Sequence, residues 1–253
     1  MHYLCFLLPT PYLRVLLRTA LAGLLTVLLG ACATSQSPSE SVRIDAPSRP
    51  QAMQGSSWWY VRFRLARSAD DEVDSFLDLL IADQLLSPVI AHYASKLALW
   101  RFHRRWPEDD TGHQFSFIFF APPAVAASMI AQIERDPLLN SLEAEGHLVE
   151  FRVDKTNANP PSDPAATSDR SWSPVIQREW PKFIMGASRM WLGLVQTEAA
   201  RHPRLELYSR YRRVEEVLDE LWYQEGNHAF FHHLSALFGY RPLRVIRRDI
   251  MTF

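Results

Sequence analysis

The sequence is poor in cysteine, glycine and lysine, and it lacks the short motifs of several large enzyme classes. Its 253 residues include two cysteines, nine glycines and three lysines. The phosphate-binding loop G-x-x-x-x-G-K-[ST], the dinucleotide-binding motif G-x-G-x-x-G, the nucleophile elbow G-x-S-x-G and the zinc motif H-E-x-x-H are all missing. Enzymes that depend on these motifs are excluded, whereas enzymes whose active sites have no local signature are not.

The sequence also lacks an excess of charge of either sign. It has 27 basic and 28 acidic residues, a net charge of −1, and a hydrophobic fraction of 47% that is typical of a globular protein. A balanced chain has no overall attraction to nucleic acid, so a site for a polyanion has to be a local patch. We therefore expect no nucleic-acid partner.

The apolar run near the N-terminus, Thr19–Leu29, is too short to span a bilayer of about 30 Å as a helix. Arg14 and Arg18 precede it, and small residues follow it, which is the order of a secretory signal peptide. The end of this segment, Leu29–Cys32 with the sequence LGAC, resembles the lipobox of bacterial lipoproteins.

This resemblance implies that residues 1–31 are removed and that Cys32 carries fatty acyl chains such as palmitate. By similarity to enterobacterial lipoproteins, Ala33 in place of aspartate favours sorting to the outer membrane. Because Cys5 would leave with the signal peptide, the mature chain would have no free thiol and no disulfide. Residues 32–56 would then be the acylated cysteine and a flexible tether rich in serine, proline and glutamine, with a span of about 27 Å.

Residues 57–155 alternate between strand-like and helix-like patterns. Apolar residues recur every second position in residues 58–66, 97–106, 114–121 and 148–154, which predicts four strands. Helical spacing separates the first strand from the second and the third from the fourth. The order β-α-β-β-α-β predicts an α+β fold with a ferredoxin-like unit.

The remainder of the chain is predicted to be a loop followed by helices. Residues 156–173 are dense in proline, asparagine, serine and aspartate and form a linker, and residues 174–253 form a helical region that packs on the first unit. We expect Trp180–Pro181 to break the first helix of this region. We also expect Gly226 to end a longer helix, Asn227 to cap the next one, and Leu243–Ile250 to form either a short edge strand or an extended tail.

Six basic residues are expected on the outward face of the sheet, which we call the basic face: Arg62, Arg64, Arg101, His103, Arg105 and Arg152. The favoured interpretation is that the C-terminal helices cover this face and pair its arginines with four acids, Glu215, Glu216, Asp219 and Glu220. The alternative is an open site for a small anionic ligand or an acidic protein surface, because arginine suits planar anions.

The C-terminal stretch NHAFFHHL raises the question of a metal site. His228 and His232 have the i, i+4 spacing of helical metal ligands, and Glu225 is a candidate third ligand. However, Gly226 separates Glu225 from that helix, and Phe230, Phe231, Leu234 and Leu237 are expected to give the helix a buried side. We therefore predict no metal or other cofactor.

These features together predict a lipoprotein of the cell envelope, anchored in the outer membrane with its domain facing the periplasm. The expected role is that of a non-catalytic accessory or binding protein. Its expected partners are the membrane, through the lipid anchor, and an envelope protein or a small anionic ligand. The alternative is a periplasmic metal-dependent enzyme that uses the C-terminal histidines.

Overall fold

Four antiparallel strands form one sheet in the order β2-β3-β1-β4. The strands are β1 (Ser57–Leu65), β2 (Leu99–Arg104), β3 (Gln114–Ala121) and β4 (Leu148–Val153). The central strand β1 pairs with β3 from Ser57↔Ala121 to Arg64↔Gln114. The α+β class and the four strands are confirmed, each strand within two residues of its predicted ends.

The computed structural model describes residues 53–67, 73–105, 112–153 and 160–242. The predicted signal peptide, the predicted lipidation site Cys32, most of the predicted tether and the C-terminal segment Leu243–Ile250 lie outside these ranges. Within them, no helix combines the length and the apolar character needed to cross a membrane.

Helical segments connect the strands and build the C-terminal region. The α-helices are α1 (Phe76–Leu80), α2 (Ser87–His92), α3 (Pro123–Glu134), α4 (Pro137–Ala144), α5 (Pro174–Arg201), α6 (Leu207–Gly226) and α7 (His233–Leu237). Two π-helical turns, Ile81–Leu86 and Asn227–His232, and one 3₁₀ turn, Pro164–Thr167, complete the set.

The core lies between one face of the sheet and the helices that connect its strands. Alternate residues of β1 and β3 point into it, and the two phenylalanines Phe63 and Phe117 have no exposed surface. Leu80 of α1 and Met129 of α3 are equally buried against them. Because successive side chains of a strand point to opposite faces, the same strands place a second set of residues, including the basic face, on the other side.

The predicted helix break at Trp180–Pro181 is wrong, because α5 runs without interruption from Pro174 to Arg201 with Pro181 inside it. A proline in a helix leaves the carbonyl four residues earlier without its usual N–H donor. That carbonyl belongs to Gln177, and the Ser168 hydroxyl donates a hydrogen bond of 2.7 Å to it. The hydroxyl from the preceding linker therefore supplies the hydrogen bond that the proline cannot donate, and the helix continues through Pro181.

The predicted cap at Asn227 is also wrong. Gly226 and Asn227 both keep helical backbone angles, so α6 passes directly into the second π-turn. Gly226 is buried against the indole of Trp222, and a side-chain Cβ at Gly226 would lie 3.1 Å from that ring. The glycine makes room for the indole, and although α6 ends at Gly226 as predicted, the helical backbone continues into the π-turn.

Candidate functional site

The C-terminal helices pack beside the sheet and on the helix layer. Helix α5 runs along the edge strand β2, where the Phe102 amide donates a hydrogen bond of 3.1 Å to the buried Ser188 hydroxyl. Helix α6 packs on α1 through the buried Tyr211, whose hydroxyl donates a hydrogen bond to Asp83 of the first π-turn. These contacts fix α5 and α6 relative to the sheet.

A groove of about 1260 Å³ opens between α5, α6 and the last two helical segments. Its walls are mainly apolar and include Trp191, Leu194, Leu218, Trp222, Phe231 and Leu237. We call it the C-terminal groove. Phe231 was expected on a buried side of its helix, but 58% of it is exposed, and Leu237 is 83% exposed. Contiguous apolar surface open to solvent is a common mark of an interaction site.

One end of the C-terminal groove is polar. Arg104 at the end of β2 and the carboxylates of Glu215 and Asp219 on α6 line it, and Lys182, which pairs with Glu179 at 2.6 Å, also lines the groove. Burial, reinforced by the negative charge of Asp219, raises the pKa of the Glu215 carboxyl to about 7, although Arg104 acts in the opposite direction. The groove therefore presents an apolar surface with an acidic end.

Replacing Glu215 with glutamine should raise the melting temperature above pH 7 and leave it nearly unchanged near pH 4.5. The pKa of Glu215 is about 7 in the folded protein against an ordinary value of 4.5, so the folded state holds the proton more tightly than the unfolded state. The resulting destabilisation is absent below pH 4.5, grows between pH 4.5 and pH 7, and is complete above that. Thermal melts near pH 4.5 and above pH 7 measure the change in melting temperature. The same substitution at the exposed neighbouring residue, Glu216→Gln, is the control. Equal shifts at both pH values would contradict it.

A buried charge cluster lies beneath this polar end. Asp78 of α1 has no exposed surface, and its Oδ1 is 2.9 Å from Nε2 of His113, which is 2% exposed. Arg104 Nε is 2.7 Å from Oδ2 of Asp78, and its guanidinium lies over the Trp191 ring at 5.1 Å. The cluster ties α1, β2 and α5 together and holds Arg104 at the groove. Asp78 was not among the predicted site residues, although a lone acid in the apolar run FLDLLIA is a detectable signal.

The C-terminal histidines are brought together, as their spacing predicts. The rings of His228 and His232 stack with centroids 5.0 Å apart, and His233 lies 5.2 Å from each of them. All three side chains are exposed. Within the described ranges, however, no group of three or more histidine, cysteine, aspartate or glutamate side chains is arranged to hold a metal ion, and Glu225 forms no such group with the histidines.

The expected pairing of the basic face with acids of α6 is wrong for Glu215 and Glu216, although Met185 of α5 does pack on this side of the sheet, against Trp58 and Leu99. Glu216 pairs with Arg213 of its own helix at 2.7 Å, and Glu215 lies near Arg104 on the opposite side of the sheet. Helix α6 cannot reach the basic face because it packs on α1, which belongs to the helix layer.

The linker also covers this end of the basic face, near Trp58. The Trp58 indole N–H donates hydrogen bonds to the carbonyls of Asp163 at 3.0 Å and Pro164 at 3.2 Å. The Arg101 guanidinium donates a bond of 3.4 Å to the Thr167 carbonyl. Arg101 is partly buried as expected, but its cover is the 3₁₀ turn. Arg64, His103, Arg105 and Arg152 remain half-buried or exposed at the other end.

Two surfaces are therefore candidates for a binding site, the C-terminal groove and the less covered end of the basic face. Comparison with models of protein families, with curated proteins and with solved structures finds no match to this chain.

Proposed function

We propose that this chain is an outer-membrane lipoprotein, anchored by acylated Cys32, that acts without catalysis as an accessory protein in the cell envelope. Its domain faces the periplasm and binds an envelope protein partner in the C-terminal groove. The observation that carries this proposal is the large apolar groove with exposed aromatic walls. The lipobox at Leu29–Cys32 supports the anchor and the compartment.

The partner element that suits the groove best is an amphipathic helix. A helix with its side chains is about 10–12 Å across and rises about 5.4 Å per turn, so one turn occupies roughly 500 Å³. The groove volume of about 1260 Å³ corresponds to two or three such turns and exceeds the range of about 300–1,000 Å³ usual for small-molecule pockets. Apolar anchors at helical spacing would contact Trp222 and Phe231, as in other helix-in-groove complexes.

The acidic end of the groove favours a helix that carries positive charge. A lysine or arginine beside the apolar stripe would meet Glu215 and Asp219, and its positive charge would favour the ionised form of Glu215. Complementary charge of this kind contributes mainly to orientation and to the rate of association. We therefore infer a basic amphipathic helix as the occupant.

We also infer that the sheet and the segments between its strands form a ferredoxin-like unit. Support comes from the strand order, in which β3 lies between β1 and β2 while β1 lies between β3 and β4. Two interleaved β-α-β units whose strands are separated by one strand give this order, and they make every neighbouring pair antiparallel. On this basis the C-terminal helices are an addition to the ferredoxin-like unit, and this addition supplies the C-terminal groove.

The groove is tested with the chain from Ala33 to Phe253, which retains the compact unit Arg49–Phe253. The probes are a fluorescent amphipathic peptide of leucine and lysine and its leucine–glutamate twin. Fluorescence anisotropy should show binding of the lysine peptide and weak or no binding of the glutamate peptide. Phe231→Asp should weaken binding of the lysine peptide by about tenfold or more, because a buried aromatic contact is lost.

Tyr223→Asp provides the matched control for this titration. Tyr223 is 81% exposed on α6 and does not line the groove. Both substitutions add one negative charge, which by itself would strengthen binding of a basic peptide, so a loss that occurs only with Phe231→Asp reports the apolar contact. Equal binding of both peptides, or equal losses in the two variants, would contradict the proposal.

A further inference from the structure

The apolar walls of the C-terminal groove face solvent over much of their surface. Trp222, Phe231 and Leu237 each have more than half of their surface exposed. They belong to α6, the second π-turn and α7, so the exposed surface continues along the last part of the described chain. Because contact between water and contiguous apolar surface is unfavourable, an amphipathic segment that is held nearby should cover it.

The segment that follows the described chain has the pattern that this groove favours. Residues 243–253, LRVIRRDIMTF, contain three arginines and one aspartate, which gives their side chains a net charge of +2. Apolar residues recur at Leu243, Ile246, Ile250 and Phe253, with spacings of three, four and three residues. These spacings give a helix one apolar stripe. Besides an edge strand or an extended tail, the 243–253 segment therefore fits a basic amphipathic helix.

A sharp turn after α7 returns the chain toward the last helical segments. Gly239 and Tyr240 have positive φ angles of 65° and 53°. Their amides donate hydrogen bonds of 2.9 Å to the carbonyls of Ala236 and Ser235, respectively, a pattern that ends a helix in the left-handed region. The Tyr240 ring then lies 5.4 Å from the ring of His232, although eight residues of continuous helix would separate the two by about 12 Å. The chain therefore leaves the described part beside the helical segments that wall the groove.

The distance from this turn to the groove is short enough for the segment to cover. Residues 241–245 span about 16 Å when extended, which exceeds the diameter of about 10–12 Å of a helix with its side chains. Residues 246–253 would then form about two helical turns, within the two or three turns that the groove volume of about 1260 Å³ holds. A connection this short gives the segment an effective concentration on the order of millimolar, so even weak contacts keep the groove occupied.

The charges of the described groove lining agree with a basic occupant. Glu215 and Asp219 line the polar end. Two cations, Arg104 and Lys182, also line the groove, and each forms an ion pair with a carboxylate outside the lining, at 2.7 Å and 2.6 Å. Arginines that flank the apolar stripe of the segment would therefore meet the carboxylates of Glu215 and Asp219.

We propose that the 243–253 segment binds in the C-terminal groove of its own chain and is displaced by the partner helix. The groove then has two competing occupants of the same chemistry, and the partner binds only those molecules whose groove is free. The segment thus lowers the apparent affinity for the partner and keeps weaker ligands off the apolar walls. This inference rests on the proposed function, because it takes the groove as the partner site.

Titration of the chain from Ala33 to Phe253 with the fluorescent leucine–lysine peptide tests the competition. Ile246→Asp combined with Ile250→Asp should raise the affinity for the peptide by about tenfold, the gain expected if the segment occupies about nine grooves in ten. Val245→Asp combined with Thr252→Asp adds the same charge away from the apolar stripe and should raise the affinity far less. Unchanged affinity in the first double variant, or equal gains in the two, would overturn the proposal.

A fluorophore on the segment reports its position without any peptide. Both cysteines of the sequence precede residue 33, so Ile250→Cys supplies a single thiol for bimane, which tryptophan quenches on contact. We expect quenching that both Trp222→Phe and the lysine peptide relieve. Quenching by Trp222 in a chain that binds no peptide would support the segment and contradict the proposed partner site. Peptide binding in a chain whose bimane signal is unaffected by Trp222→Phe would overturn the segment and leave the partner site standing.

Discussion

Replacing Asp78 by alanine should lower the free energy of unfolding by about 1–3 kcal/mol, the usual cost of leaving a buried polar group without its hydrogen-bond partner. Asp78 is fully buried and is the partner of both His113 and Arg104. Without the carboxylate, the nearly buried His113 loses its partner at Nε2, and the positive charge of Arg104 loses its counter-ion. Urea unfolding at neutral pH, with the m-value checked for two-state behaviour, measures the change.

Two further variants distinguish the ion pair from simple packing. Asp78→Asn keeps the size of the side chain but removes the charge, so it should recover only part of the loss. Glu216→Ala removes one partner of the exposed pair with Arg213 and should change stability by less than about 0.5 kcal/mol. If Asp78→Ala were as mild as Glu216→Ala, the cluster would not be the element that ties α1, β2 and α5 together.

Replacing Cys32 by serine should abolish acylation and release the protein from the membrane or leave an uncleaved precursor. The hydroxyl of serine does not replace the thiol that the lipoprotein resemblance requires. Each buried methylene of an acyl chain contributes about 0.8 kcal/mol, so loss of several chains removes the anchor completely. Metabolic labelling with a fatty-acid analogue, followed by separation of membrane and soluble fractions, reports both effects.

Cys5→Ser is the matched control, since Cys5 is the other cysteine of the sequence and lies in the predicted signal peptide. It should leave both labelling and membrane association unchanged. Equal labelling of the parent and of Cys32→Ser would refute the anchor. Loss of labelling in both cysteine variants would show that the signal segment, rather than the acylated residue, had been damaged.

Local sequence patterns predicted much of this fold. The strands were recognisable because alternate residues such as Val61 and Phe63 enter the core while Arg62 and Arg64 do not. An alternation with a period of two involves only neighbouring residues, so it can be recognised from the sequence without knowledge of the tertiary structure. The same alternation placed the basic residues on one face correctly.

What could not be predicted depends on contacts between distant parts of the chain. Pro181 was expected to break a helix, but the freed carbonyl of Gln177 accepts a bond from Ser168, nine residues before that carbonyl. Phe231 has the spacing of a buried residue, but it lines an open groove between α5 and α6, and α5 is far from it in the sequence. Which segment covers Arg101 likewise depends on the path of the linker, which no local pattern encodes.

Photo-crosslinking in cells that produce the processed protein tests whether the C-terminal groove binds a partner helix. A photoreactive residue at Leu237, in the C-terminal groove, should give one discrete crosslinked protein. Mass spectrometry should identify the crosslinked peptide of the partner, and its sequence should have the pattern of a basic amphipathic helix. The same residue at Tyr223, exposed but outside the groove lining, should not give this product, and Cys32→Ser should reduce it by displacing the protein. Equal crosslinks from both positions, a partner peptide without a basic amphipathic pattern, or no protein crosslink from Leu237 would contradict the claim.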